Sequence, residues 1–307
     1  MLSGLCIHKA GKYTRHFLTA LFLLLLSFAT TISALELGGA TWGCHDPSTM
    51  VLADNKYWIY STADSLNLRS STDLVHWQWE KKPFAFNYSV PDWMVTYLSP
   101  NDATPDDSVW NLWAPDVIKS DSKYFLFYSR NCGTFPDEQS VCGVATSSSI
   151  SSPSWADQGA VVNVDLSQSH YRAIDPALIF DQSGKLWMAV GSFGSPDSAG
   201  YVNGGIRIFQ LNTSTGKLAS SGDTGKRLAG PWIEAPYLWY HNNYYYLFFN
   251  QQTCCAGKSS KYYIRVGRSS SVNGSYIDKD GTSLTSDGGS LFMGLDYSAN
   301  YPSDVAA

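Results

Sequence analysis

The chain has 307 residues, enough for one large all-β domain or two ordinary ones. Its formal charge of −5 at pH 7 argues against a nucleic-acid partner, which needs a basic face. Charged residues make up only 15% while aromatics reach 14%, and such a surplus both packs between sheets and offers flat faces on which sugar rings stack.

The first element is a leader. Lys9, Lys12 and Arg15 precede an apolar run over residues 17–28, a Ser/Thr stretch and Ile32-Ser33-Ala34, in the order of a secretory signal. The run is shorter than the ~20 residues that span a bilayer. Cleavage near Ala34 is therefore expected, giving a signal peptide over residues 1–34 and a mature domain over 35–307; an uncleaved signal anchor is the alternative. No later segment is long and apolar enough to span a membrane, so a secreted, extracellular protein free of membrane is expected. Asn87-Tyr88-Ser89, Asn212-Thr213-Ser214 and Asn273-Gly274-Ser275 are sequons that fit a secreted glycoprotein. Once Cys6 is removed, five cysteines remain, an odd count. Cys132 and Cys142 flank a loop and are expected to form a local bridge. The adjacent Cys254 and Cys255 form either a vicinal disulfide or two buried thiols. Their spacing does not fit a zinc site.

From residue 35 onward, four segments begin alike. His45-Asp46-Pro47-Ser48 leads to Tyr57-Trp58-Ile59-Tyr60, and Trp113-Ala114-Pro115-Asp116 leads to Tyr124-Phe125-Leu126-Phe127-Tyr128. Ile174-Asp175-Pro176-Ala177 leads to Leu186-Trp187-Met188, and Glu234-Ala235-Pro236-Tyr237 leads to Tyr244-Tyr245-Tyr246-Leu247-Phe248-Phe249. A fixed period of this kind marks a repeat architecture. Further strands are expected over 141–146, 205–211 and 262–267, with no long helix. Short strands separated by turn residues suit a sandwich, barrel or propeller, and the repeat selects a propeller, whose blades are four-stranded sheets around a channel. Each acid-Pro cluster is expected on the innermost strand and each aromatic run on the next. Trp77 is expected on an outer strand in a structural role. The spacing fits a four-bladed ring or a five-bladed ring lacking most of its last blade.

Equivalent positions in a radial repeat point at one axis, so Asp46, Asp175 and Glu234 are expected to meet. Two carboxyls across a sugar suffice for glycoside hydrolysis: one protonates the leaving oxygen, the other attacks or activates water. A third acid nearby keeps the donor protonated by like-charge repulsion. A single Asp-Pro more often caps a turn; three acids in phase reverse that reading. Asp116 is out of phase and is read as structural, and His45 as a hydrogen-bonded neighbour of Asp46.

These residues resemble glycoside hydrolase family 43, and within it the endo-acting α-1,5-L-arabinanases. The resemblance is carried by His45-Asp46-Pro47-Ser48, Asn111-Leu112-Trp113-Ala114-Pro115-Asp116, Ala173-Ile174-Asp175-Pro176-Ala177, Gly191-Ser192-Phe193, Ile233-Glu234-Ala235-Pro236-Tyr237, and the stretch from Cys254-Cys255-Ala256-Gly257 to Val266-Gly267-Arg268-Ser269. It implies a five-bladed β-propeller and an inverting reaction, with Asp46 as general base, Glu234 as general acid and Asp175 as pKa modulator. It also implies that Trp113 and Phe193 are aromatic walls for arabinofuranose, that Ser192 is a polar contact near the bond to be cut, and that Gly133 and Phe135 shape the cleft. For Trp113, blade packing is the equal alternative.

Two departures stand out. Arg172 replaces the Asn usual before Ala-Ile-Asp-Pro, and is expected to alter a substrate contact or to bias the nearby acids. After Phe292 the family's Gly-Pro-Gly-His motif, whose His helps hold a central ion assigned as calcium, is absent. The last blade is thus expected to be incomplete, the chemistry to need no cofactor, and the calcium site to lack its His. The reading is a monomeric hydrolase that makes endo cuts in plant cell-wall arabinan. Its rivals are an exo-acting arabinofuranosidase or β-xylosidase, and a non-catalytic sugar-binding propeller.

Overall fold

The structure is a computed structural model that describes residues 36–84, 90–98, 111–132, 139–165, 171–192, 204–256 and 259–294. Four antiparallel sheets follow one another along the chain. Blade 1 contains β1 (Gly38–Gly39), β2 (Val51–Ala53), β3 (Lys56–Ser61), β4 (Asn67–Ser71) and β5 (His76–Trp79), with β1 added in parallel to the outer edge of β5. After helix α1 (Asp92–Leu98) comes blade 2: β6 (Trp113–Ser120), β7 (Lys123–Cys132), β8 (Gln139–Ser147) and β9 (Ala156–Asp165). Blade 3 is β10 (Ala177–Phe180), β11 (Leu186–Val190), β12 (Ile206–Leu211) and β13 (Lys226–Ala229). Blade 4 is β14 (Ile233–His241), β15 (Tyr244–Gln251), β16 (Tyr263–Ser269) and β17 (Ser290–Met293).

The fold class is all-β and propeller-like, as the repeat predicts. Each acid-Pro cluster precedes or opens the first strand of its sheet, and each aromatic run forms the second. Trp77 lies on β5, an outer strand, and donates its indole N–H to the Leu74 carbonyl. Among the described residues four sheets are present and a fifth is not, so the five-bladed expectation meets four blades here.

Large aromatics and aliphatics on the second and third strands fill the space between neighbouring blades. Tyr60, Leu68, Leu126 and Tyr128 seal blade 1 to blade 2. Phe125, Phe127, Met188 and Phe209 seal blade 2 to blade 3. Trp187, Ile208, Leu247 and Phe249 seal blade 3 to blade 4. On blade 4, Tyr237, Trp239 and Phe292 remain exposed, as do Met50 and Leu52 of blade 1.

The expected Cys132–Cys142 bridge is not made: Cys142 is a free, buried thiol. Register explains this. Cys142 stands opposite Ser129, while Cys132 stands opposite Gln139. Three steps along a strand separate the two rows, so the two positions are not cross-strand neighbours. Burial pushes the Cys142 thiol pKa up, and its Sγ packs against Met188 Sδ at 3.8 Å. Cys254 and Cys255, by contrast, are joined to each other.

Candidate active site

A shared backbone feature positions the acids. The residue before the aligned proline has positive φ in every blade: 46° at Asp46, 43° at Ala114, 58° at Asp175 and 51° at Ala235. That conformation is unfavourable for a residue with a Cβ, by roughly 1–2 kcal/mol, and doubly so before proline, which steers its predecessor to extended geometry. In blades 2 and 4 the turn is a bulge, where the register shifts between Trp113 and Asp116 and between Glu234 and Tyr237. Asp46 and Asp175 occupy the kinked position itself; Glu234 lies one residue earlier.

Hydroxyl and amide bridges then link the blades in sequence. Thr62 Oγ1 donates to Asp46 Oδ2 at 2.6 Å and accepts the Ala114 N–H at 2.8 Å, tying blade 1 to blade 2. Ser129 Oγ donates to the Trp113 carbonyl and accepts the Asp175 N–H, tying blade 2 to blade 3. The Ala235 N–H donates to Asp175 Oδ2 at 3.1 Å, tying blade 3 to blade 4. Asp116 performs a similar task deeper down. Its buried carboxylate accepts the N–H groups of Thr49, Val117 and Leu178, which belong to the inner segments of blades 1, 2 and 3. Burial pushes its pKa up against the pull of those donors. The structural reading of Asp116 holds.

The three in-phase acids do come together. Burial first, then the charges of Glu234 and Asp46, push the Asp175 carboxyl well above the usual carboxylate range; the Ala235 N–H and Arg172 oppose the shift. Glu234, buried, accepts a hydrogen bond on each oxygen: Ser192 Oγ at 2.8 Å on Oε2 and Tyr262 Oη at 2.8 Å on Oε1. Burial and the adjacent Glu234 charge push the Tyr262 phenol up in turn. Asp46 is half-buried, with His45 Nε2 3.4 Å from its Oδ2. A cavity of about 640 Å³ opens here, lined by His45, Asp46, Asp175, Asn250, Cys254 and Tyr262 among others.

The other predicted residues divide. Ser192 is at the site, but it is buried and its hydroxyl is committed to Glu234. Arg172 is half-buried and acts on Asp175 through its charge. Trp113 is half-buried, with the Arg130 guanidinium 4.7 Å from its ring centroid, so a cation already covers part of it. Gly133, Phe135 and Phe193 lie outside the described residues. Thr62 and Tyr262 were not singled out from the sequence: each is a lone hydroxyl residue beside a strand end, outside the acid-Pro phase. Among the described residues no group of three or more His, Cys, Asp or Glu side chains is placed to hold a metal ion.

The sequence pattern of glycosyl hydrolases family 43 matches residues 42–291, which hold all three acids. The chain belongs to glycosyl hydrolases family 43. The family 43 chain resembles the extracellular endo-alpha-(1->5)-L-arabinanase 1 of Bacillus subtilis (strain 168), with 35% identity over 92% of this chain and 83% of that protein. It also resembles the extracellular exo-alpha-(1->5)-L-arabinofuranosidase ArbA of Cellvibrio japonicus (strain Ueda107), with 30% identity over 88% of this chain and 76% of that protein. Its structure superposes on a family 43 endo-arabinanase from Bacillus licheniformis with a TM-score of 0.71 and 31% identity, covering 85% of this chain and 83% of that one.

Proposed function

We propose that this glycosidase makes endo cuts in α-1,5-linked L-arabinan, with inversion, after secretion and removal of residues 1–34. The observation that carries the reading is the convergence of three acids from three blades: Asp46 and Asp175 line one cavity, and Glu234 is coupled to Asp175 and bonded to Tyr262 of the cavity wall. Glu234, oriented through both oxygens, donates a proton to the leaving oxygen. Asp46, the more open of the three, takes a proton from the water that attacks the anomeric carbon from the opposite side. Asp175 is coupled to Glu234, so a proton there belongs to the pair and stays available to the donor. When Glu234 carries it, one of its two hydroxyl partners turns to accept. Endo action is favoured by the endo-acting relatives, including that of Thermotoga petrophila.

An exo mode is the second reading, favoured by the similarity to the Cellvibrio enzyme. Product pattern separates the two: early oligomers for endo action, monosaccharide alone for exo. In our reading the four blades belong to a five-bladed ring. The exposed Tyr237, Trp239 and Phe292 form the face that a further blade would cover.

The test is reducing-end release from linear α-1,5-arabinan by the protein and by Glu234→Gln. Loss of about 10²- to 10⁴-fold in kcat with an unchanged melting temperature is expected. A variant with near-native turnover would overturn the assignment.

A further inference from the structure

Blade 1 carries an aromatic pair that the chemistry above does not use. The Trp42 indole is 72% exposed and Trp79 is 41% exposed. Their ring centroids are 5.6 Å apart at an interplanar angle of 71°. Solvent exposure of this kind usually signals flexibility, but here the backbone beneath is fixed. The Arg69 side chain is buried. Its Nε donates to the Ala40 carbonyl, its Nη1 to Ser61 Oγ, and its Nη2 to the Trp42 and Gly43 carbonyls. The same guanidinium stacks on Trp79, 4.0 Å from the ring centroid. One buried cation therefore holds both tryptophans, while the indole of Trp42 is left open to solvent.

The pair is placed at the end of the blade that carries Asp46. β3 ends at Ser61, and Thr62, the next residue, holds the Asp46 carboxylate. Arg69, at the centre of β4, is paired with Trp79 at the end of β5. Ser61, bonded to Arg69, thus stands one residue from the partner of Asp46. Gly43, Cys44 and His45 carry the chain from Trp42 inward to Asp46, and Cys44 and His45 line the cavity. Neighbouring strands stand roughly 4.8 Å apart, so β5 lies about 14 Å outward from β2.

We infer that Trp42, backed by Trp79, is a distal subsite for a linear pentose polysaccharide whose scissile bond lies at Asp46 and Glu234. An indole face is apolar and flat, and suits the C–H face of a furanose ring. Continuity with the cavity favours the substrate's own strand as the occupant, because a sugar chain leaving the acids over blade 1 passes this ring. The subsite rests on the arabinanase reading for the identity of the polysaccharide, though not for the existence of the platform.

Two measurements test it. Affinity electrophoresis in linear arabinan, with Glu234→Gln as the parent so that nothing is cut, compares the parent with Trp42→Gln and Trp42→Tyr. Weaker binding by about two- to tenfold for Gln, with Tyr close to the parent, is expected for loss of one stacking face. Next, in the active protein, the ratio of kcat/KM on arabinan to that on arabinotriose is compared with and without Trp42→Gln. Arabinotriose leaves at most two sugars on one side of the cut and does not reach the outer strand. The ratio is expected to fall by about the same factor. Equal retardation of all three proteins, or an unchanged ratio, would overturn the subsite. Retardation that depends on Trp42 in a protein that cuts no arabinan would sink the hydrolase reading and leave the subsite standing.

Discussion

Tyr262 donates its phenolic hydrogen to Glu234 Oε1 at 2.8 Å, from a position just ahead of β16 and in the wall of the cavity. With Ser192 on the other oxygen, it fixes the plane and direction of the one glutamate among the three acids. A long side chain with several free torsions is thereby held at one place, as proton donation to a positioned leaving group requires.

Tyr262→Phe keeps the ring and removes the donor. A hydrogen bond to a charged group contributes about 1.5–3 kcal/mol, so kcat is expected to fall roughly 10- to 100-fold with little change in KM. Steady-state kinetics checks this, and full activity would remove Tyr262 from the mechanism.

Asp46→Asn is expected to lose turnover while keeping its fold, because the neutral amide does not take a proton from water. Azide, which needs no such base, is expected to restore turnover and to release azido-arabinose of inverted configuration. Product analysis by NMR checks this, and azide product of retained configuration contradicts the base role.

Asp175 gives the protein a pH-dependent stability. Its folded-state pKa is raised by burial and by Glu234 and Asp46. A carboxyl raised on folding contributes stability that is fully present below its unfolded pKa and is lost as pH rises through the folded one. Asp175→Asn does not titrate, so its melting temperature relative to the parent is expected to climb as pH rises above about 4, the ordinary aspartate value. Calorimetry over that range decides; a constant difference would mean the carboxyl is not perturbed.

Asp116→Ala leaves the N–H groups of Thr49, Val117 and Leu178 without their acceptor in a buried place. Each unsatisfied donor costs about 1–3 kcal/mol, so a loss of roughly 3–5 kcal/mol is expected, since partial relaxation and water entry recover some of the sum. Urea unfolding measures it. A loss below about 1 kcal/mol would show that the three blades do not depend on this carboxylate.

Arg69→Lys keeps the charge but not the fork. Lysine offers one nitrogen where Arg69 uses three to reach Ala40, Trp42, Gly43 and Ser61. The segment leading to Asp46 is expected to loosen, lowering both the melting temperature and kcat. A variant equal to the parent in both would show that the segment is held by other contacts.

Much of this was legible in the linear chain because a repeat converts spacing into geometry. The recurrence of Asp46-Pro47, Pro115, Asp175-Pro176 and Glu234-Ala235-Pro236 placed each cluster at an inner strand, and radial symmetry then brought the acids together. The aromatic runs reported the second strands because those strands are packed on both faces. The partners of the acids were not legible. Thr62, Ser129 and Tyr262 are common hydroxyl residues with no phase of their own, and each matters only through the blade it faces. Cys132 and Cys142 misled, since proximity in sequence says nothing of strand register, and the pairing of the two strands sets them three rows apart. Trp42 and Trp79, thirty-seven positions apart, became a pair only when one buried guanidinium took the Ala40, Trp42 and Gly43 carbonyls and stacked on the Trp79 ring. Periodic pattern fixes which strand a residue occupies; contact across blades depends on how the strands are turned and packed, and that information is spread over residues distant in the chain.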